Sequence, residues 1–181
     1  MVSIRNKLVL WVGEKHCGKT TSATNLVEIA RAEGFEVAGL LAPSIYRNGR
    51  LIGFDALELG DRTRAPLAKR QKKPGKNGAF AFVSDGLKLG NAALSPETTK
   101  SADLIIVDEF GPLELNGDGW RKNVDSLLAS SNAVILLVIR CELADQVQQL
   151  YEHIPSRKLV ATEPNSIDEV IKMLKNRHQS H

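Results

Sequence analysis

Gly13-Glu14-Lys15-His16-Cys17-Gly18-Lys19-Thr20 follows the apolar run Leu8 to Val12 and precedes a stretch of helical periodicity. Gly-x4-Gly-Lys-Thr at the junction of a strand and a helix is the pattern of a phosphate-binding loop. The chain turns back on itself there, so backbone N–H groups and the helix N-terminus face one point, which suits a chain of phosphates. Gly13 and Gly18 bring the backbone close to an anion because no Cβ intervenes. Lys19 carries a mobile positive charge to the terminal phosphates, and the Thr20 hydroxyl is a ligand for Mg²⁺. Glu14, Lys15, His16 and Cys17 fill the turn and belong to the same candidate nucleotide-binding set. His16 stands where positive φ is common, a conformation that His tolerates better than most residues. Cys17 is expected to be passive, since bound phosphate opposes its ionisation.

Working outward, Ala23, Leu26, Val27 and Ala30 recur on one helical face, Gly34 ends that helix, and Val37 to Leu41 reads as a buried strand. Strand, loop, helix and strand make a βαβ unit with a right-handed crossover, hence a parallel sheet. Asn48-Gly49 between two strand-like runs predicts a type I′ hairpin. Arg62 to Lys76 is basic, contains Pro66, Pro74 and Gly75, and is expected to be a mobile solvated loop. Ala79 to Val83 reads as a strand, and Ser84 to Ser101 as a loop with one helical turn near Leu94 to Thr99.

Asp103 to Leu115, DLIIVDEFGPLEL, is the second informative stretch. Its apolar core marks a strand buried on both faces that delivers carboxylates at its C-terminal end. Parallel strand ends line up beside the phosphate loop, so Asp108 is the candidate partner of Thr20 across Mg²⁺. Glu109 follows it as the carboxylate that orients water toward the γ-phosphorus. Ala133 to Ile139 is another doubly buried strand, and it ends at Arg140, a candidate stabiliser of transition-state charge. Between these strands, Trp120, Val124, Leu127 and Leu128 mark one helix; Leu143, Val147, Leu150 and Ile154 mark the next. A strand over Lys158 to Thr162 and a last helix opening on Ser166, with Ser166 as cap and Glu169 reaching back, complete the chain. The polar tail from 176 to 181 is expected to fray.

With 181 residues, 43% hydrophobic and 25% charged, the chain fits one domain, residues 1–181, with an insertion over about 43–90. Two cysteines, no secretory leader and no membrane-length apolar run point to a reducing cytoplasm and no membrane contact. A net charge of +3 suits a polyphosphate ligand and is too weak to indicate nucleic acid. Whether a protein partner binds is not read from the sequence.

GEKHCGKTT, a hairpin after the second strand, VDEFGPLEL and a strand ending in Arg140 together resemble the THEP family of small P-loop nucleoside triphosphatases. The resemblance covers Lys7 to Lys175. It implies an α/β fold, a P-loop NTPase three-layer sandwich with a mainly parallel sheet and a small antiparallel hairpin insertion. It also implies Thr21 beside the phosphates and Glu114 as the family's later glutamate. The expected activity is Mg²⁺-dependent hydrolysis of several nucleoside triphosphates, with Lys19, Glu109 and Arg140 catalytic. A small-molecule or nucleotide kinase and a slow nucleotide-binding switch are the alternatives. Strict guanine recognition is disfavoured because no Asn-Lys-x-Asp follows a later strand.

Overall fold

Strands with no polar face form the centre of the molecule. The computed structural model describes residues 7–75 and 78–179. It begins with β1 (Leu8–Gly13), buried throughout, which leads through the glycine-rich loop into α1 (Lys19–Ala32) and then β2 (Val37–Leu41). An antiparallel run follows: β3 (Ser44–Arg47), β4 (Arg50–Glu58), β5 (Arg64–Gly75) and β6 (Gly78–Phe82). Asn48 and Gly49 between β3 and β4 have φ of 50° and 72°, as a type I′ turn needs. The chain returns through α2 (Ser84–Ala93) and α3 (Pro96–Thr99) to β7 (Leu104–Asp108). Next come α4 (Pro112–Leu115), α5 (Arg121–Ser130), β8 (Val134–Arg140), a 3-10 turn (Cys141–Leu143), α6 (Ala144–Leu150), β9 (Ser156–Val160) and α7 (Ser166–His178).

The strands join one sheet in the order β6-β5-β4-β2-β7-β8-β1-β9, with β3 pairing to β4. From β2 to β9 every pairing is parallel, and beyond β2 every pairing is antiparallel. Alternate residues of each central strand face opposite ways. Leu8, Leu10 and Val12 therefore pack with Val124, Leu127 and Val147 of α5 and α6. Val9 and Trp11 pack with Leu26 and Ala30 of α1 and Val170 and Leu174 of α7 on the other side. None of the described helices is long and apolar enough to cross a membrane.

Four expectations fail, each for a physical reason. Arg64–Gly75 is a twelve-residue strand and not a mobile loop. Leu67 and Ala68 are buried, and Pro66 is tolerated because the register against β4 shifts beside Phe54 and Asp55; Pro74 falls in a second irregularity against β6. Lys76 lies outside the described residues. Residues 84–93 form a full helix in spite of Gly86 and Gly90. These glycines are contact points: a Cβ on Gly86 would lie 2.5 Å from Leu67 Cα, and one on Gly90 would lie 2.6 Å from the Trp120 ring. The tail does not fray at Asn176, because α7 runs to His178, whose ring bonds to Asp103 at 2.6 Å and meets Phe35 edge-on. Ser180 and His181 lie outside the described residues. Ser166 does not cap α7 either; its hydroxyl donates to the Val160 carbonyl at 2.6 Å, and Glu169 pairs with Arg157 at 2.7 Å.

Gly39 in the middle of β2 has φ of 103°, and a Cβ there would lie 2.1 Å from the Ile106 carbonyl oxygen of β7. Gly39→Ala is expected to cost about 2 kcal/mol or more through backbone strain and lost β2–β7 pairing. Urea denaturation of the two proteins measures it.

Candidate active site

Parallel register is what assembles the site. Gly13 lies opposite Arg140, and Asp108 lies opposite Val138, so the ends of β1, β8 and β7 emerge on one edge of the sheet. The loop after β1 folds tightly over Gly13, where a Cβ would meet Cys17 Sγ at 2.6 Å and Lys19 Cγ at 2.9 Å. His16 takes φ of 61°, the left-handed conformation expected of it. Helix α1 has no side-chain cap, so the N–H groups of its first turn are left for an anion. Lys19 is only 8% exposed, and its Nζ donates to the Glu14 carbonyl oxygen at 2.7 Å.

Asp108 is 2% exposed. Its Oδ2 accepts the Thr20 hydroxyl at 2.8 Å and the Ala42 N–H, at the end of β2, at 3.0 Å. Burial pushes this carboxyl up to about 6, and neighbouring Glu109 adds to the rise; the bonds from Ala42 and Thr20 and the charge of Lys19 oppose it. Glu109, joined to Asp108 by a cis peptide bond, turns to Arg140 instead. Arg140 Nε donates to Glu109 Oε1 at 2.8 Å, and both side chains stay about a third exposed. Glu114, the third residue of α4, reaches back to accept the Gly111 N–H at 2.9 Å and also takes the Trp120 N–H at 3.3 Å. Burial raises the pKa of Glu114. This carboxylate ties the turn after Asp108-Glu109 to the start of α5.

Lys15, His16, Gly18, Lys19, Thr20, Thr21, Asp108, Glu109 and Arg140 all line one cavity of about 750 Å³. Gly13, Glu14 and Cys17 lie outside its wall. Cys17 is half-buried beneath the loop, and Glu14 contributes its carbonyl to Lys19. Sequence reasoning missed the Ala42 N–H, which no side-chain pattern announces. It also missed the aromatic part of the cavity, which Tyr46, Phe54, Phe80 and Trp120 line from distant parts of the chain. Among the described residues no group of three or more His, Cys, Asp and Glu side chains gathers as a metal cage. One hydroxyl facing one carboxylate instead fits Mg²⁺, which keeps most of its shell as water and phosphate oxygens.

A family model described as NTPase matches residues 9–174. The chain belongs to this NTPase family. Its curated relatives include the nucleoside-triphosphatase THEP1 of Methanopyrus kandleri, 32% identical over 69% of this chain and 67% of that protein. The THEP1 of Methanothermobacter thermautotrophicus is 30% identical over 73% and 76%. Among solved structures, a human cancer-related nucleoside triphosphatase superimposes with a TM-score of 0.69 at 20% identity, over 98% of this chain and 99% of that one. THEP1 from Aquifex aeolicus gives 0.71 at 18%, over 93% and 99%. These two establish the shared NTPase fold, and the curated relatives establish the THEP membership.

Asp108 gives this NTPase a measurable cost of holding its site. The folded pKa, about 6, exceeds the ordinary 3.8, so the folded state holds the proton more tightly than the unfolded state does. Stability is therefore lost as pH rises through that interval, and the full penalty applies above it. Asp108→Asn keeps an oxygen for Ala42 and Thr20, and is expected to stabilise the ligand-free chain by about 1–3 kcal/mol at neutral pH. The gain should vanish as pH falls toward about 4, which thermal melts across pH will read.

Proposed function

We propose that the chain hydrolyses nucleoside triphosphates in an Mg²⁺-dependent reaction with relaxed base choice. The observation that carries this reading is the 2.8 Å contact between Thr20 and Asp108, since it puts a hydroxyl and a carboxylate on one point at the mouth of an uncapped helix. Backbone N–H groups from Gly13 to Thr21 hold the phosphates. Lys19 leaves the Glu14 carbonyl for the terminal phosphates, so one acceptor replaces another with no cation left unpaired. Thr20 and Asp108 would hold Mg²⁺, which when bound would neutralise negative charge on the phosphate chain.

Glu109 accepts a hydrogen bond from water and aims it at the γ-phosphorus, while Arg140 fixes the carboxylate and faces the developing charge. The water oxygen bonds to phosphorus and the bond to the bridging oxygen breaks. The diphosphate leaves, and the water proton passes through Glu109 to solvent. The lack of Asn-Lys-x-Asp after any later strand disfavours strict guanine recognition and so supports a relaxed base choice. Two unpaired cysteines, Cys17 and Cys141, suit a reducing cytoplasm.

Phosphate release from ATP, GTP, CTP and UTP, with and without Mg²⁺, tests this directly. Lys19→Ala should lose both nucleotide uptake and turnover. Glu109→Gln should lower kcat by about 100-fold or more while KM changes little. Turnover of the glutamine variant at the wild-type rate removes Glu109 from its role, and undiminished release without divalent cation removes the metal.

A further inference from the structure

The cavity does not stop at Glu109. It runs on beneath the antiparallel strands, where Tyr46, Phe54, Phe80, Phe82, Leu113 and Trp120 line it. Phe54 and Phe80 meet edge to face at 5.2 Å, while Tyr46 and Phe82 are 59% and 44% exposed. Those two are half of the four large apolar side chains left exposed among the described residues, and both stand on this one wall. Aromatic surface concentrated beside a reaction site marks a place for a ligand.

The attacking water does not account for such a limb, and the nucleotide's own base is the rival occupant that the test below separates from an acceptor. An attacking water takes about 30 Å³, a small part of a cavity that would hold a drug-sized ligand. Charge narrows the occupant further. The lysines and arginine that line the cavity are Lys15, Lys19 and Arg140, in the phosphate loop and at the end of β8; beside the aromatic limb stands Arg70, exposed and outside the lining, with its guanidinium 5.7 Å from the centre of the Phe80 ring. A second phosphate or carboxylate seated within the limb would be desolvated with no cation in the lining, since Arg70 is engaged with the Leu51 carbonyl and the Phe80 ring. An uncharged ring would lose nothing and gain stacking.

We propose that the aromatic limb is an acceptor subsite for an uncharged ring-bearing alcohol, whose hydroxyl takes the γ-phosphoryl group in place of water. The subsite rests on the placement of the triphosphate given above, because it needs the γ-phosphorus at the Glu109 end of the loop. The acceptor oxygen forms the new bond to phosphorus, and the bond from phosphorus to the β,γ-bridging oxygen breaks. The hydroxyl proton passes to the Glu109 carboxylate and on to solvent. The products are a phosphate monoester and a nucleoside diphosphate. Exclusion of water by the ring would favour transfer over hydrolysis.

The test is a partition measurement on the full chain with Mg²⁺ and γ-labelled ATP. Its probes are the four ribonucleosides, benzyl alcohol and tryptophol, with labelled ester and labelled phosphate separated after each reaction. Labelled ester is expected with at least one probe, rising as free phosphate falls. Tyr46→Ala, at an exposed position, should lower the ester-to-phosphate ratio about tenfold, the loss of one stacking contact. Ordinary phosphate release with no ester from any probe overturns the subsite and leaves the hydrolase intact. A Tyr46→Ala protein whose KM for ATP alone rises tenfold would also overturn it, since the limb would then hold the nucleotide's own base. Absence of both products, with no nucleotide uptake, overturns the hydrolase reading and the subsite with it.

Discussion

A single buried carboxylate governs this molecule. Asp108 ends a strand whose other residues are all apolar, and it is itself nearly inaccessible. An ionised group in that position is tolerated only with donors aimed at it, and there are two: the Ala42 N–H and the Thr20 hydroxyl, both on Oδ2. The donors come from separate elements, the end of β2 and the first turn of α1. Both elements are held in place only if β2, β7 and β8 keep their parallel register. A slip of one residue would turn Asp108 toward the other face of the sheet and leave a buried charge without partners. The polar contact thus specifies the register, while the apolar strands supply most of the stabilisation.

The same economy recurs at the turn after Asp108. Glu114 accepts from Gly111 and Trp120, and a Cβ on Gly119 would lie 2.2 Å from its Oε1, so the carboxylate fills its pocket without slack. Trp120 in turn lies flat on Gly90 of α2, which packs against β5 through Gly86 and Leu67. A continuous series of close approaches therefore connects the end of β7 to the antiparallel strands. At the other end of that extension, Glu58 accepts the N–H groups of Gly60 and Asp61, and the Leu59 N–H donates to the Gly39 carbonyl. Arg31 of α1 bonds the Leu59 carbonyl. The wall of the cavity is anchored to the core at both ends.

How much was legible in the chain follows from where the information sits. The loop, α1, β2, β7 and β8 were readable because their patterns are local and continuous: five buried residues in a row, or apolar residues at helical spacing. The β5 strand was not. Its prolines and lysines argue for loop unless one knows that register irregularities accommodate Pro66 and Pro74. Helix α2 was hidden for the opposite reason, because the glycines that lower its propensity are the residues that let it approach β5 and Trp120. Side chains of the site were visible as motifs, but the Ala42 N–H carries no residue identity. The aromatic limb was invisible because Phe54, Phe80 and Trp120 converge only after the sheet has formed.

The sheet changes character between β2 and β4, and so does the chemistry at its edge. In the parallel half, every strand points the same way, so strand ends gather charged and phosphate-seeking groups along one border. In the antiparallel half no such border exists, and alternate residues on one face present rings such as Phe54 and Phe80 to the same space. Glu109 and Arg140 stand on the parallel half at the entry to that space, paired with each other and still about a third exposed. A cavity that spans both puts the phosphate-loop residues and the aromatic wall on the two sides of one carboxylate, Glu109.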